Sequence, residues 1–120
     1  MPKYRILVID DETLMREYVE EALVRAGYEV DTAGNGPDGL EALRQASYDV
    51  LVTDLKMAPM DGLEVLRRAT EECPGLHCIV MTAYGTIETA VAEIATLFSA
   101  DGSAEVAARA EALMIGSGQV

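Results

Sequence analysis

Residues 5–11 read RILVIDD, residues 49–54 read DVLVTD and residues 77–82 read HCIVMT. Each is a short apolar run that ends in a side chain bearing oxygen. Nearly continuous apolar runs of this length are typical of strands that helices cover on both faces of a sheet. We predict strands at Arg5 to Ile9, Glu29 to Ala33, Asp49 to Thr53 and His77 to Met81. Because longer stretches of helical period separate them, the sequence predicts an α/β fold, a doubly wound parallel sheet.

Three helices are predicted between these strands. The first carries an apolar stripe through Leu14, Tyr18, Val19 and Leu23 and ends at Gly27. The second begins at Pro37, and the third follows Asp61 and Gly62 and stops before Pro74. Each helix returns the chain to the start of the next parallel strand.

The pattern changes after the fourth strand. Thr86 can cap a fourth helix whose apolar face runs to Phe98, and an Ala/Glu-rich stretch from Ser103 to Ile115 fits a further helix. No fifth strand is predicted. We therefore divide the chain into a C-terminally incomplete domain at 1–100 and a linker-like helix and tail at 101–120.

The composition excludes several classes of function. With 9 Lys and Arg against 21 Asp and Glu, the formal charge of −12 would repel nucleic acid, so we expect no nucleic-acid binding by this segment. Cys73 and Cys78, with His77 between them, lack a fourth zinc ligand and are expected to be reduced thiols. No signal peptide or membrane span is visible, so we expect a cytoplasmic protein without membrane contact.

Acidic and hydroxyl side chains follow three of the predicted strands. Asp10 and Asp11 follow the first strand, Asp54 the third and Thr82 the fourth. Ligands of open parallel sheets bind beyond the carboxyl ends of the strands, so these side chains should converge if the three strands are neighbours. Clustered carboxylates repel one another unless a hard cation such as Mg²⁺ or Mn²⁺ neutralises them. The backbone carbonyl of Lys56 would lie near that metal ion.

A carboxylate at such a strand end can act as a nucleophile toward phosphorus and form an aspartyl phosphate. Asp54 is the predicted acceptor, the Thr82 hydroxyl could donate to a phosphoryl oxygen, and Gly85 gives the following loop freedom to move. Each aspartate taken alone could instead be a helix cap. Their joint placement at the ends of the strands favours a phosphoryl-transfer site.

The strings ILVIDDE, DVLVTDLKMAPMDG and IVMTAYGTIETA closely resemble the receiver domains of two-component response regulators, from residue 3 to about residue 95. The resemblance implies a flavodoxin-like sheet of order 2-1-3-4, with strand 5 absent or replaced. It also implies Asp10 and Asp11 as the acidic metal pair, Asp54 as the phospho-acceptor, Lys56 as the carbonyl ligand and Thr82 as the switch hydroxyl. MTAYGTIETA looks most like receivers attached to AAA+ activators of alternative-sigma-factor promoters.

One departure from the family concerns the C-terminal part. Family members carry a Lys-Pro pair after a fifth strand and an aromatic switch residue before it, whereas this chain has no lysine after Met81. Metal binding should survive, because no metal ligand is lost. Switching by phosphorylation would lose a cation that stabilises the phosphoryl charge. A missing fifth strand would also leave the fourth strand as a bare edge, which predicts a homodimer.

Three functions stay open from the sequence. The first is a receiver that accepts a phosphoryl group from a sensor histidine kinase and acts on an attached or partner AAA+ output domain. The second is a binding-only pseudo-receiver that signals through dimerisation or protein contacts. The third is a haloacid-dehalogenase-like phosphatase, suggested by Asp10, Glu12 and Thr13 but lacking that family's second Asp and later Lys. The receiver is not expected to be an enzyme beyond its own phosphorylation and dephosphorylation.

Overall fold

A computed structural model describes residues 4–81 and 112–115 of the chain. In these residues strands and helices alternate up to residue 81, as the sequence predicts. The elements are β1 (Arg5–Ile9), α1 (Thr13–Arg25), β2 (Glu29–Ala33), α2 (Gly36–Gln45), β3 (Val50–Asp54), α3 (Gly62–Glu72), β4 (His77–Met81) and β5 (Ala112–Ile115). Three of the four predicted strands have the predicted bounds, and β3 is shifted by one residue so that it includes Asp54.

The sheet is parallel and has the order β2-β1-β3-β4-β5. The predicted order of the first four strands, and with it the flavodoxin-like α/β class, is confirmed. The prediction of a helix through residue 115 and of no fifth strand is wrong for Ala112–Ile115, which pairs with β4. ALMI is a run of four apolar residues, too short for its period to separate a strand from a helix turn, and pairing with β4 supplies partners for its backbone groups.

The presence of β5 removes the argument that led to a homodimer. β4 has β3 on one side and β5 on the other, so it is not the bare edge that the sequence suggests. The homodimer itself stays a prediction. The predicted fourth helix at Thr86 and the domain boundary at residue 100 lie outside the described residues.

Two apolar layers form because neighbouring strand residues point to opposite faces of the sheet. On one face, Ile6 and Val8 pack with Val19 and Leu23 of α1. On the other face, Leu7 and Ile9 pack with residues of α2 and α3, which are Leu40, Leu43, Val65 and Ala69. The central strands are buried on both sides, as their continuous apolar runs predict.

The helix starts follow local signals. The side chain of Asn35 accepts a hydrogen bond from the backbone N–H of Asp38 at 2.8 Å, one residue before α2. Asp61 accepts from the N–H of Glu64 at 2.9 Å and so caps α3. The apolar stripe of α1 is only partly buried, because Leu14 is 75% and Tyr18 55% exposed.

Cys73 directly follows α3, and Cys78 lies in β4. Cys73 and Cys78 are free thiols, the first half-buried and the second buried in the layer below α3. Among the described residues, no helix has the length and apolar character required to cross a bilayer.

Candidate metal and phospho-acceptor site

The register of the strands brings the predicted acidic residues to one edge of the sheet. Ile9 of β1 lies opposite Thr53 of β3, so Asp10 and Asp54 follow at the same level. Carboxylate oxygens of Asp10, Asp11 and Asp54 lie within 4.8 Å of one another. The convergence predicted from three separated stretches of sequence is therefore present in the fold.

Asp10 is held firmly by the turn between β1 and α1. It is 2% exposed, and its Oδ1 accepts a hydrogen bond from the N–H of Glu12 at 3.0 Å. Its own N–H donates to the carbonyl of Ala33 at 3.2 Å. The guanidinium of Arg16 donates to the Asp10 carbonyl at 2.8 Å. Asp10 is thus fixed through its side chain, its N–H and its C=O.

Burial and mutual repulsion act on the carboxyl groups of the site. Burial, followed by the charge of Asp10, raises the pKa of Asp54 from 3.8 to about 6, and the backbone N–H groups of Leu55 and Lys56 oppose this shift. Burial likewise raises the pKa of Asp10, against the hydrogen bond from Glu12. Both directions mean that negative charge is destabilised here as long as no cation is bound.

The loop from β3 to α3 is tied down on both sides of Leu55. The N–H of Leu55 donates to the carbonyl of Met81 at 2.9 Å, and its C=O accepts from the N–H of Gly62 at 2.8 Å. Lys56 lies next in this loop, two residues beyond Asp54, with an exposed side chain. Its backbone is therefore anchored close to the acidic group.

Thr82, the predicted switch hydroxyl, lies outside the described residues. Met81, which precedes it, pairs with Asp54 in the register of β3 and β4. Met81 therefore lies at the same edge of the sheet as the acidic cluster.

The sequence does not single out two residues of this region. Arg16 anchors Asp10, and its position six residues beyond Asp10 on the first turns of a predicted helix is the available signal. In the sequence Gly62 only marks the residue before the predicted third helix, whereas in the fold its N–H donates to the carbonyl of Leu55, the residue after Asp54. Both residues act through contacts with residues that are brought near by the fold, and a periodic sequence pattern does not predict such contacts.

The donor set fits a hard divalent cation. The three carboxylates offer only oxygen ligands, which Mg²⁺ and Mn²⁺ prefer over sulfur or imidazole. Asp10 is buried, Asp54 is half-buried and Asp11 is exposed. Asp11 is exposed, so one side of the cluster is open to solvent.

Comparison with known proteins decides the family. Residues 6–102 match the family model described as response regulator receiver domain. The chain belongs to this family. Receiver domains are signalling modules of two-component systems; they interact with histidine kinases and bind Mg²⁺ through an acidic aspartate cluster. The resemblance predicted from three motifs is thereby confirmed, and membership leaves no basis for the haloacid-dehalogenase-like alternative.

The relatives of this receiver domain include proteins of similar length and much longer ones. It is 39% identical over 83 residues to the response regulator receiver protein CpdR of Brucella abortus. This alignment covers 69% of each of the two chains. It is 40% identical over 86 residues to the DNA-binding transcriptional regulator NtrC of Escherichia coli, which covers 72% of this chain but only 18% of NtrC. The chain therefore spans only a small part of the length of NtrC.

Solved structures give the same picture of the fold. The response regulator TrrA of Thermotoga maritima, solved in complex with Mg²⁺ and BeF, aligns with a TM-score of 0.69 at 29% identity. The alignment covers 96% of this chain and 88% of TrrA. A CheY-like receiver domain from Methanospirillum hungatei aligns with a TM-score of 0.67 at 30% identity, over 78% of this chain and 75% of that one.

Proposed function

We propose that the chain is a phospho-accepting receiver in which Asp54 takes the phosphoryl group from the phosphohistidine of a sensor histidine kinase. Asp10, Asp11 and Asp54, with the backbone carbonyl of Lys56, would hold Mg²⁺ or Mn²⁺. The observation that carries the proposal is the meeting of three carboxylates within 4.8 Å at the carboxyl edge of the sheet.

The electrostatics of the site support a bound cation. Burial and the charge of Asp10 raise the pKa of Asp54 to about 6, so the metal-free site resists full ionisation. A divalent cation would neutralise part of this charge and the charge of the incoming phosphoryl group. The complex of TrrA with Mg²⁺ and BeF is consistent with such a site in this family.

Asp54 is the proposed nucleophile because of its position. It ends β3 and is half-buried, and its backbone carbonyl accepts a hydrogen bond from the Thr53 hydroxyl at 3.1 Å. One carboxylate oxygen of Asp54 would attack phosphorus as the bond from phosphorus to the histidine nitrogen breaks. The bonding pair stays on the imidazole nitrogen, and Asp54 carries the resulting acyl phosphate. Asp10 and Asp11 would stay outside the covalent chemistry.

Thr82 is the proposed switch hydroxyl, donating a hydrogen bond to a phosphoryl oxygen of the phosphorylated form.

A second candidate function rests on one feature of the sequence, the absence of lysine after Met81. Without that cation the phosphorylated state would be stabilised less strongly. A pseudo-receiver that keeps the fold and signals by binding alone is the function that this absence favours.

The proposed partners follow from the chemistry and from the relatives. A phosphohistidine donor requires a sensor histidine kinase, and NtrC among the relatives suggests an attached or partner AAA+ output domain. We propose a cytoplasmic location, because a histidine kinase needs ATP, which is available in the cytoplasm. We expect neither nucleic-acid nor membrane binding by this segment. We also keep the proposal of a homodimer that does not depend on phosphorylation, although β5 covers the edge of β4 that first suggested it.

Intact-mass measurement tests the proposal. Acetyl phosphate with Mg²⁺ should add one phosphoryl group to the wild type, and EDTA should prevent the addition. Asp54→Ala should stay unmodified, while Glu17→Gln, a matched loss of charge on the exposed side of α1, should react as the wild type does. No addition to a folded wild type that binds Mg²⁺ would favour the pseudo-receiver.

A further inference from the structure

Gly62 packs directly against the backbone of the proposed phospho-acceptor. It is the first residue of α3 and is buried, and its N–H donates to the Leu55 carbonyl at 2.8 Å. A methyl group built on Gly62 would overlap the carbonyl oxygen of Asp54 and lie 2.9 Å from the Leu55 Cα. The space for a side chain is therefore taken by the peptide that follows Asp54.

The nature of the neighbouring atoms separates Gly62 from two other buried glycines. A methyl group on Gly39 would meet side-chain atoms of Ile9, and one on Gly36 would meet Val65 Cγ2 at 2.8 Å. In both cases the neighbouring atoms belong to side chains and not to the backbone. The neighbours of Gly62 are backbone atoms, so either the start of α3 or the peptide between Asp54 and Leu55 has to move.

Movement of that peptide would act on the proposed metal and phosphoryl ligands. The Asp54–Leu55 peptide joins the acceptor carboxylate to Lys56, whose carbonyl is the proposed metal ligand. It is held on its other side by the hydrogen bond from Leu55 to Met81. A displacement at Gly62 therefore shifts two ligand-bearing residues relative to Asp10, which is fixed by separate contacts.

We propose that Gly62 is a positioning residue of the phosphoryl-transfer site. Its lack of a side chain lets α3 begin against the Asp54–Leu55 peptide and so sets the place of the Asp54 carboxylate and the Lys56 carbonyl. The inference rests on the proposed function. To bring an added Cβ on residue 62 to normal contact distance from the Asp54 carbonyl oxygen, one of the two backbones must shift by about 1 Å. Catalytic and binding sites tolerate displacements of their groups of only about 0.5 Å.

The test compares two glycine variants of the full chain. Gly62→Ala should bind Mg²⁺ about 10-fold to 100-fold more weakly, as is usual when groups that position metal ligands are lost. It should also be phosphorylated more slowly by acetyl phosphate at saturating Mg²⁺. Gly75→Ala is the control: Gly75 has a φ of 93°, so alanine is strained there, but it precedes β4 at the opposite end of the sheet.

Calorimetric titration with Mg²⁺ gives the affinity, and far-UV circular dichroism gives the folded fraction of each variant. If Gly62→Ala is partly unfolded, trimethylamine N-oxide favours the compact state, and all three proteins are then titrated in it. Weaker binding by folded Gly62→Ala, with wild-type affinity in Gly75→Ala, supports the inference.

Three results would overturn it. The first is a Gly62→Ala variant that binds Mg²⁺ with wild-type affinity, and the second is an equal loss of affinity in Gly62→Ala and Gly75→Ala. The third is a Gly62→Ala variant that stays unfolded in the osmolyte, which would mean that the role of Gly62 is purely structural. In each case Mg²⁺ binding and phosphorylation of the wild type would leave the proposed function intact. A folded wild type without Mg²⁺ affinity would overturn the proposed function and this inference together.

Discussion

Replacing Asp54 by asparagine should stabilise the metal-free protein at neutral and alkaline pH. Burial and the charge of Asp10 raise the pKa of Asp54 from 3.8 to about 6. A shift of this size corresponds to about 3 kcal/mol at about 1.36 kcal/mol for each pKa unit. Because the carboxyl group is only partly buried, solvent screening reduces the expected gain to about 1 to 2 kcal/mol. The amide has nearly the same shape but carries no charge.

The gain depends on pH in a defined direction. The folded protein holds the Asp54 proton more tightly than the unfolded chain, so stability falls as pH rises from about 4 to about 6. Above the folded pKa the carboxylate is ionised in both states, and the full penalty is present. Below the unfolded pKa the carboxyl is protonated in both states, and Asp54→Asn should match the wild type.

Urea unfolding followed by circular dichroism, in EDTA, measures this difference at about pH 8 and about pH 4. Glu17→Gln is the control, because it removes one exposed negative charge that is not part of the cluster. Addition of Mg²⁺ should reverse the order at the higher pH, since the wild type binds the ion more tightly and gains more stability. An equal gain at both pH values, or no gain in EDTA at the higher one, would refute the electrostatic reasoning.

Two further predictions concern single contacts. Asp11→Asn should weaken Mg²⁺ binding by about tenfold or more in a calorimetric titration, because it removes one carboxylate of the cluster; unchanged affinity would exclude Asp11 as a ligand. Tyr48→Phe should lower the free energy of unfolding by about 1 kcal/mol, since the Tyr48 hydroxyl donates to Asp31 at 2.6 Å. Urea unfolding measures this loss, which should be absent in an Asp31→Ala background if the hydrogen bond is its cause.

The sequence specifies the strands and helices up to residue 81 closely. β1 and β4 coincide with the predicted runs because buried parallel strands need β-branched and apolar residues on both faces. β2, the more exposed edge strand, also has the predicted bounds. The starts of α2 and α3 follow Asn35 and Asp61, whose capping side chains are local signals. These elements are encoded by neighbours in sequence, so a pattern reveals them.

The C-terminal part is predicted less well, for a physical reason. Ala112–Ile115 forms β5 because an edge of β4 accepts it, and such a contact between residues far apart in sequence leaves no local period. The outer side of α1 illustrates the same limit. Leu14 and Tyr18 have helical spacing with the buried residues, but the fold leaves them exposed.

The acidic site could be predicted because its residues share one rule of topology. Asp10, Asp11 and Asp54 end parallel strands, and the carboxyl ends of neighbouring parallel strands meet. Arg16 and Gly62 follow no such rule. Arg16 acts through a hydrogen bond to the carbonyl of Asp10, and Gly62 through its close approach to the carbonyl of Asp54. Both contacts are visible only in the folded chain.

Trapping of the phosphorylated residue tests the central proposal most directly. After treatment with acetyl phosphate and Mg²⁺, borohydride reduces an aspartyl phosphate to homoserine, and tandem mass spectrometry locates the altered residue. The account predicts homoserine at position 54 alone, formed only when Mg²⁺ is present. Homoserine at position 10 or 11, or at position 54 equally in EDTA, would contradict it.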